Sequence, residues 1–128
     1  MSYFLSFWKQ TSECRRSPKQ IEDLLLEDPK RQALDGLEPL DTWRIAARFS
    51  EFFPEIVDNR FSKSTELAQS EWESQDGTRS FVIDWYSLHF GIQCCTATTD
   101  ELNRAIDVAI EFGCRLFDPQ TGIRYEGQ

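Results

Sequence analysis

The segment "RSFVIDWYSLHFGIQCC", residues 79–95, carries the strongest β-strand pattern in this chain of 128 residues. It is rich in aromatic and β-branched residues and contains no proline. Because the run is longer than an ordinary strand, it predicts either one long bent strand or a pair of strands joined near Asp84–Ser87. Gly91 suggests a β-bulge as an additional feature. The segment therefore predicts a protein built around a β-sheet.

Shorter strand patterns occur elsewhere in the chain. Residues 2–9, "SYFLSFWK", are apolar on both alternating faces, which predicts a strand in the interior of the sheet. A short strand near residues 70–74 precedes an Asp-Gly turn signal. Two further strand pieces, Cys114–Phe117 and Ile123–Tyr125, flank the sequence "DPQTG". That pentapeptide has one glycine and does not open a helix, so it predicts a tight turn and not a phosphate-binding loop.

Three helices are predicted, and each has a recognisable start. The first begins after Ser17 and places Ile21 in the core and Glu22 in water. The second helix spans residues 42–53 and the third spans residues 99–112. The residues that mark the starts and ends of these helices are Ser17, Pro18 and Gln20, then Asp41 and Pro54, and finally Thr98, Glu101 and Gly113.

The order of these elements, β-α-(α)-β-β-α-β, predicts an α+β fold. We expect a two-layer α/β sandwich of the ferredoxin-like type, with the helices on one face of a mostly antiparallel sheet. Residues 54–80 show the weakest pattern. No linker interrupts the chain, so residues 1–128 are predicted to form a single domain.

The charge balance limits the classes of partner. The chain has 14 basic and 22 acidic residues, a formal net charge of -8 and an isoelectric point near 4.6. Such a field repels phosphate backbones, which excludes direct nucleic-acid binding, and it attracts basic proteins. The sequence has no signal-peptide pattern and no apolar run long enough to span a bilayer. These features predict a cytoplasmic protein that does not contact membranes.

The cysteines do not form a metal-binding pattern. Cys14, Cys94, Cys95 and Cys114 lack any Cys-x-x-Cys spacing, and a cytoplasmic location keeps thiols reduced. We therefore expect buried, reduced cysteines, with no metal and no cofactor.

Two residues of the central segment, Asp84 and His89, are the candidates for acid–base chemistry. His89 is the only histidine, and Asp84 is a carboxylate within the apolar run "FVIDWY". One hypothesis is a small enzyme or ligand-binding domain that uses both residues in a pocket on the sheet face. The sequence has no nucleophile signature that would accompany them. It therefore predicts no enzyme, with Asp84 at an exposed strand end and His89 in a structural or interface role.

An acidic cluster precedes the central segment. Trp72 lies between Glu71 and Glu73, and Asp76 follows. An aromatic side chain within a ring of charges is typical of an interface anchor. An ordinary half-buried strand tryptophan with solvated neighbours remains an equal alternative.

The two ends of the chain carry a family resemblance. Residues 1–8, "MSYFLSFW", and residues 113–125, "GCRLFDPQTGIRY", are similar to the termini of small bacterial immunity proteins from polymorphic or contact-dependent toxin systems. The resemblance implies that the protein binds and neutralises one cognate toxin domain, often a basic nuclease, by covering its active site or substrate groove. It implies no catalytic residues and leaves monomer and weak dimer open. The residues predicted to bind the partner are Glu71, Trp72, Glu73, Asp76, Asp84 and His89.

Overall fold

The computed structural model describes residues 3–61, 64–94, 96–118 and 123–124. Within these residues it contains eight strands and three helices, so the α+β class is confirmed. In chain order the elements are β1 (Tyr3–Gln10), α1 (Pro18–Glu27), β2 (Leu37–Glu38), α2 (Thr42–Phe52), β3 (Val57–Arg60), β4 (Leu67–Glu73), β5 (Ser80–Trp85), β6 (His89–Cys94), α3 (Thr99–Glu111), β7 (Arg115–Asp118) and β8 (Ile123–Arg124).

The strands form an antiparallel sheet in the order β3-β4-β5-β6-β1-β7-β8, and the short β2 pairs with the end of β1. The apolar strand β1 lies between β6 and β7, as its two apolar faces predict. The central segment forms a hairpin in which Trp85 pairs with Phe90. The pair of strands is therefore the correct one of the two predicted alternatives.

Gly91 does not form a β-bulge. It pairs with Asp84 on one side and with Ser6 on the other without a shift in register. A Cβ atom on Gly91 would lie 2.7 Å from Cζ of Phe4, which is closer than such atoms can approach. The glycine therefore leaves space for the Phe4 ring above a regular strand.

The ferredoxin-like arrangement is not confirmed, because seven strands follow one another across the sheet where that fold has four. One strand of the sheet that the sequence did not predict, β3, lies in the weakly patterned part of the chain. The strand β3 reads "VDNR" and has no fully buried residue, so it lacks the apolar alternation that reveals a strand in a sequence. Its position at the sheet edge is the physical reason for that pattern.

The helices pack on both faces of the sheet, contrary to the predicted single layer of helices. The core of α2 and α3 lies against the face that presents Phe7. In α1, Ile21 and Leu25 belong to a separate cluster with Trp8 and Phe117. The side chains of Trp8 and Phe117 point to the opposite face of the sheet from Phe7. The sequence could not reveal this, because an amphipathic helix shows that it has a buried side but not which face of a sheet it covers.

The predicted helix ends are confirmed. Ser17 with Gln20 and Thr98 with Glu101 form capping boxes. After α3, Gly113 has a φ of 80°, and the N–H of the next residue bonds to the carbonyl oxygen of Ala109 at 2.9 Å. This left-handed turn at a glycine is the usual end of a helix.

Glu22 corrects another expectation, since it is buried and does not face water. Burial raises the pKa of its carboxyl group, and a hydrogen bond from the Ser6 hydroxyl opposes that shift. Because Ser6 lies on β1, this contact fixes α1 to the sheet.

One part of the sheet has no helix on it within the described residues. We call it the open face and define it by the outward side chains of β4 and β5, namely Gln69, Glu71, Glu73, Ser80, Val82 and Asp84. The three helices pack elsewhere, on the core face or around Trp8.

No helix in the described part of the chain is long and apolar enough to cross a membrane. Cys95, Tyr125 and residues 119–122 of the predicted turn lie outside the described residues.

Candidate functional site

The open face is acidic. Glu71 and Glu73 are exposed on β4, and Asp84 lies on β5 opposite Gln69. Asp84 is half-buried and accepts a hydrogen bond of 3.0 Å from Nε2 of Gln69. The other outward side chains of β4 and β5 are uncharged, so no cation on these two strands neutralises the carboxylates.

This arrangement explains the carboxylate within "FVIDWY". The apolar neighbours of Asp84 on β5, Ile83 and Trp85, point to the core face and are fully buried. Asp84 points to the open face, where it is partly exposed and accepts the hydrogen bond from the Gln69 amide group. Asp84 is the penultimate residue of β5, as the expected strand end predicts, but it is half-buried and not fully exposed.

Trp72 lies on the other side of the sheet from its glutamate neighbours. Its side chain is 6% exposed, and its ring stacks on Phe81 at 5.1 Å and meets Phe53 edge-on at 5.2 Å. The indole Nε1 donates to Oε2 of Glu55 at 3.4 Å. A partner on the open face would therefore contact Glu71 and Glu73 without reaching the tryptophan ring.

Asp76 stabilises the turn between β4 and β5. It accepts hydrogen bonds from the hydroxyls of Ser74 at 2.6 Å and Thr78 at 2.7 Å, and from the Thr78 N–H at 3.0 Å. These donors hold the pKa of the Asp76 carboxyl well below its usual range, with the Ser74 bond contributing most. Gly77, with a φ of 73°, completes the turn. The geometry gives Asp76 a structural task that is independent of any partner.

His89 lies on the same side of the sheet as Asp84, because the hairpin places Tyr86 opposite His89. A single long strand would have put the two residues on opposite sides. The imidazole is 9% exposed and stacks on Tyr86 at 4.6 Å, and its Nδ1 has no hydrogen-bond partner among the described residues. Burial lowers the pKa of His89 to about 4, so the ring is neutral at pH 7.

The two residues of the catalytic hypothesis do not make a joint site by direct contact. Asp84 bonds to Gln69, and His89 contacts Tyr86. Tyr86 stacks on His89, and burial and then the nearby charge of Asp84 raise the pKa of its phenol. Neither Asp84 nor His89 lines the two clefts described for this protein. A catalytic role for them stays the alternative hypothesis.

A cleft that the sequence does not reveal lies at the start of α2. It has a volume of about 730 Å³ and extends from the β2–α2 connection to the β3–β4 and β5–β6 turns. We call it the aromatic groove. Its floor is formed by Leu67 and Trp85, and its walls are formed by Trp43, Phe61 and Tyr86. Lys30 lies at its rim.

The aromatic groove is lined by large apolar side chains of the kind that usually lie buried in a protein core. Trp43 and Phe61 are 42% and 39% exposed, although both are large and apolar. The indole Nε1 of Trp43 donates to the Thr65 carbonyl oxygen at 2.9 Å, which fixes the ring across the groove. One signal was present in the sequence, because Trp43 lies off the apolar stripe of α2 that contains Ile45 and Phe49.

Cys14, Cys94 and Cys114 form no disulfide bond within the described residues. Cys94 and Cys114 are buried in the core, and Cys14 is half-buried. His89 and Cys94 are the first and last residues of β6 and are separated by an odd number of positions, so their side chains point to opposite faces of the sheet. Among the described residues no group of three or more histidine, cysteine or acidic side chains could hold a metal ion.

The geometry thus gives two surfaces, the open face and the aromatic groove, and no assembled catalytic centre within the described residues. No protein-family model matches this sequence, and no curated protein is significantly similar to it.

Proposed function

We propose that this protein is a cytoplasmic immunity protein that binds a cognate bacterial toxin domain, a basic nuclease, and covers its active site or substrate groove. The open face is the docking surface in this proposal. The observation that carries it is the grouping of Glu71, Glu73 and Asp84 on a helix-free part of the sheet in a chain of net charge -8.

Charge complementarity supports a basic partner. A nuclease must present cations to the phosphates of its substrate, and carboxylates in similar positions can occupy that groove. The acidic field also accelerates encounter, since electrostatic steering raises association rates by about ten to a thousandfold. Glu71 and Glu73 are both exposed and project from one side of β4, so they can reach a flat or convex partner surface.

The open face also offers apolar contact. Val57 of the edge strand pairs with Glu71 and is 56% exposed, and Val82 lies half-buried on the neighbouring strand. An interface of this kind combines a small apolar centre with a charged rim. The acidic residues then determine partner choice and association rate, whereas the valines contribute buried area.

The first experiment tests neutralisation. The product of the reading frame immediately upstream should be toxic when expressed alone, and coexpression of this protein should restore growth and form a stoichiometric complex. An upstream product without toxicity, or one that neither binds nor is neutralised, would refute the immunity function.

A second experiment tests the surface. The double substitution Glu71→Lys and Glu73→Lys should reduce the association rate with the toxin domain at least tenfold at low salt, by the steering argument. The matched control is Glu51→Lys with Asp107→Lys, which makes the same charge change on α2 and α3. Equal effects of the two double variants would show that net charge acts without a defined surface.

A further inference from the structure

The aromatic groove differs from the open face in position and chemistry. It lies at the end of the sheet where the β5–β6 turn meets the start of α2, and its walls are aromatic. Its volume of about 730 Å³ falls in the range of preformed small-molecule sites. It therefore raises a question that toxin binding does not answer, namely what fills it.

The walls suit a flat ligand. Trp43 and Phe61 keep large exposed surfaces, and a protein gains stability by burying such surfaces unless they have another use. The bond from Trp43 to Thr65 holds the indole in place before any ligand arrives. Rigid aromatic walls over an apolar floor favour a planar ring that can stack, because stacking needs no rearrangement of the site.

The rim provides a cation. The ammonium group of Lys30 lies 5.8 Å from the centre of the Phe61 ring and makes no ion pair within the described residues. By contrast, the ammonium groups of Lys9 and Lys19 lie 3.4 Å and 2.8 Å from carboxylate oxygens. An unpaired lysine is notable in a chain with 22 acidic residues, because carboxylates are abundant.

Charges of both signs lie near the groove. Arg31 follows Lys30, and its guanidinium Nε is buried without an acceptor among the described residues. Arg60 precedes Phe61 and is exposed. One carboxylate, that of Glu66, also lines the groove. Glu38, Asp41 and Asp84 also flank lining residues, so the expected position of an anion follows from the ammonium group of Lys30 on the rim and not from an excess of cations around the groove.

We propose that the aromatic groove binds a small planar aromatic molecule that carries an anionic group. The ring stacks between the aromatic walls above Leu67 and Trp85, and the anion lies at the rim beside Lys30. This site is separate from the docking surface on the open face, and it does not depend on the identity of a toxin.

Two fluorescent probes test the proposal on the full chain. The first is 8-anilinonaphthalene-1-sulfonate, which carries a sulfonate on a planar naphthalene ring, and the second is N-phenyl-1-naphthylamine, which lacks the sulfonate. We expect one saturable site for the sulfonate probe. Trp43→Ala should weaken its binding about tenfold or more, because it removes one of the aromatic side chains on which the ring stacks.

Lys30→Met tests the role of the positive charge, because it removes the ammonium group and leaves the aromatic walls in place. It should weaken the sulfonate probe about two- to fivefold, as expected for an exposed charge, and leave the neutral probe unchanged. The matched controls are Phe52→Ala, another exposed aromatic residue of α2, and Lys19→Met, an exposed lysine paired with Asp23. Neither control should alter the binding of either probe.

Urea unfolding of each variant without probe verifies that it folds. If Trp43→Ala does not fold, the probe affinities of Trp43→Phe and Lys30→Met still test the proposal. The absence of a saturable site in the wild-type protein would overturn the proposal. So would an equal loss of binding in Trp43→Ala and Phe52→Ala, or a loss in Lys30→Met that is the same for both probes.

Discussion

A hydrogen-bonded chain through the core gives the sharpest prediction of stability. The indole Nε1 of Trp85 donates to Oγ of Ser70 at 2.8 Å, and the Ser70 hydroxyl donates to Oδ1 of Asp58 at 2.5 Å. Ser70 is 0% exposed and Trp85 is 1% exposed, so water cannot replace the bond between them without entering the core. The chain joins β3, β4 and β5 on the core face.

Ser70→Ala removes the acceptor and leaves the Trp85 N–H buried without a partner. The free energy of unfolding should fall by about 2 kcal/mol, since an unsatisfied buried donor costs on the order of 1–3 kcal/mol. With a urea dependence of about 1–3 kcal/mol per molar for a small domain, the unfolding midpoint should fall by about 1 M. Ser50→Ala, which removes only a bond to a carbonyl within α2, is the control and should change little.

A double-mutant cycle isolates the bond. Trp85→Phe removes the donor, so Ser70→Ala should cost much less in that background, with a coupling energy of about 1 kcal/mol or more. A Ser70→Ala cost below about 0.5 kcal/mol, or a coupling energy near zero, would refute the reasoning that this buried hydrogen bond stabilises the sheet. Urea unfolding followed by tryptophan fluorescence and circular dichroism measures all four proteins.

Two further predictions concern His89 and Gly113. The pKa of His89 is lowered to about 4 in the folded protein, so the unfolded chain binds more protons between about pH 6.5 and 4, and stability falls as the pH falls through that range. Relative to His89→Gln, the wild-type protein should lose about 2 kcal/mol between pH 7 and pH 5 in urea unfolding, and a parallel pH dependence of the two proteins would contradict the burial argument. Gly113→Ala should lower the free energy of unfolding by about 1–2 kcal/mol, because its φ of 80° is unfavourable for a side chain, whereas Gly113→Asn should cost less. Equal costs of the two Gly113 substitutions would rule out backbone strain as the cause.

The sequence was sufficient for features that depend on neighbouring residues. The capping boxes at Ser17 and Thr98 and the glycine after α3 follow from local hydrogen-bonding and dihedral preferences, and the structure has them where they were predicted. The apolar faces of β1 likewise indicated a strand with neighbours on both sides. Local chemistry determines such features, so one sequence is enough to find them.

Features that depend on distant parts of the chain required the tertiary structure. The sequence groups Trp72 with Glu71 and Glu73, whereas strand pleating separates the indole from the carboxylates by placing them on opposite faces of the sheet. The hairpin brings His89 to the side of Asp84, and alternation along a single strand would not.

The aromatic groove illustrates the same limit. Trp43 and Phe61 meet Tyr86 at one cleft although the three residues belong to different elements. The sequence by itself determined the α+β class, the helix boundaries and the acidic charge of this protein. Only the tertiary structure decided which carboxylates share a face and which aromatic rings stay exposed, because strand order and helix packing are set by contacts between residues far apart in the chain.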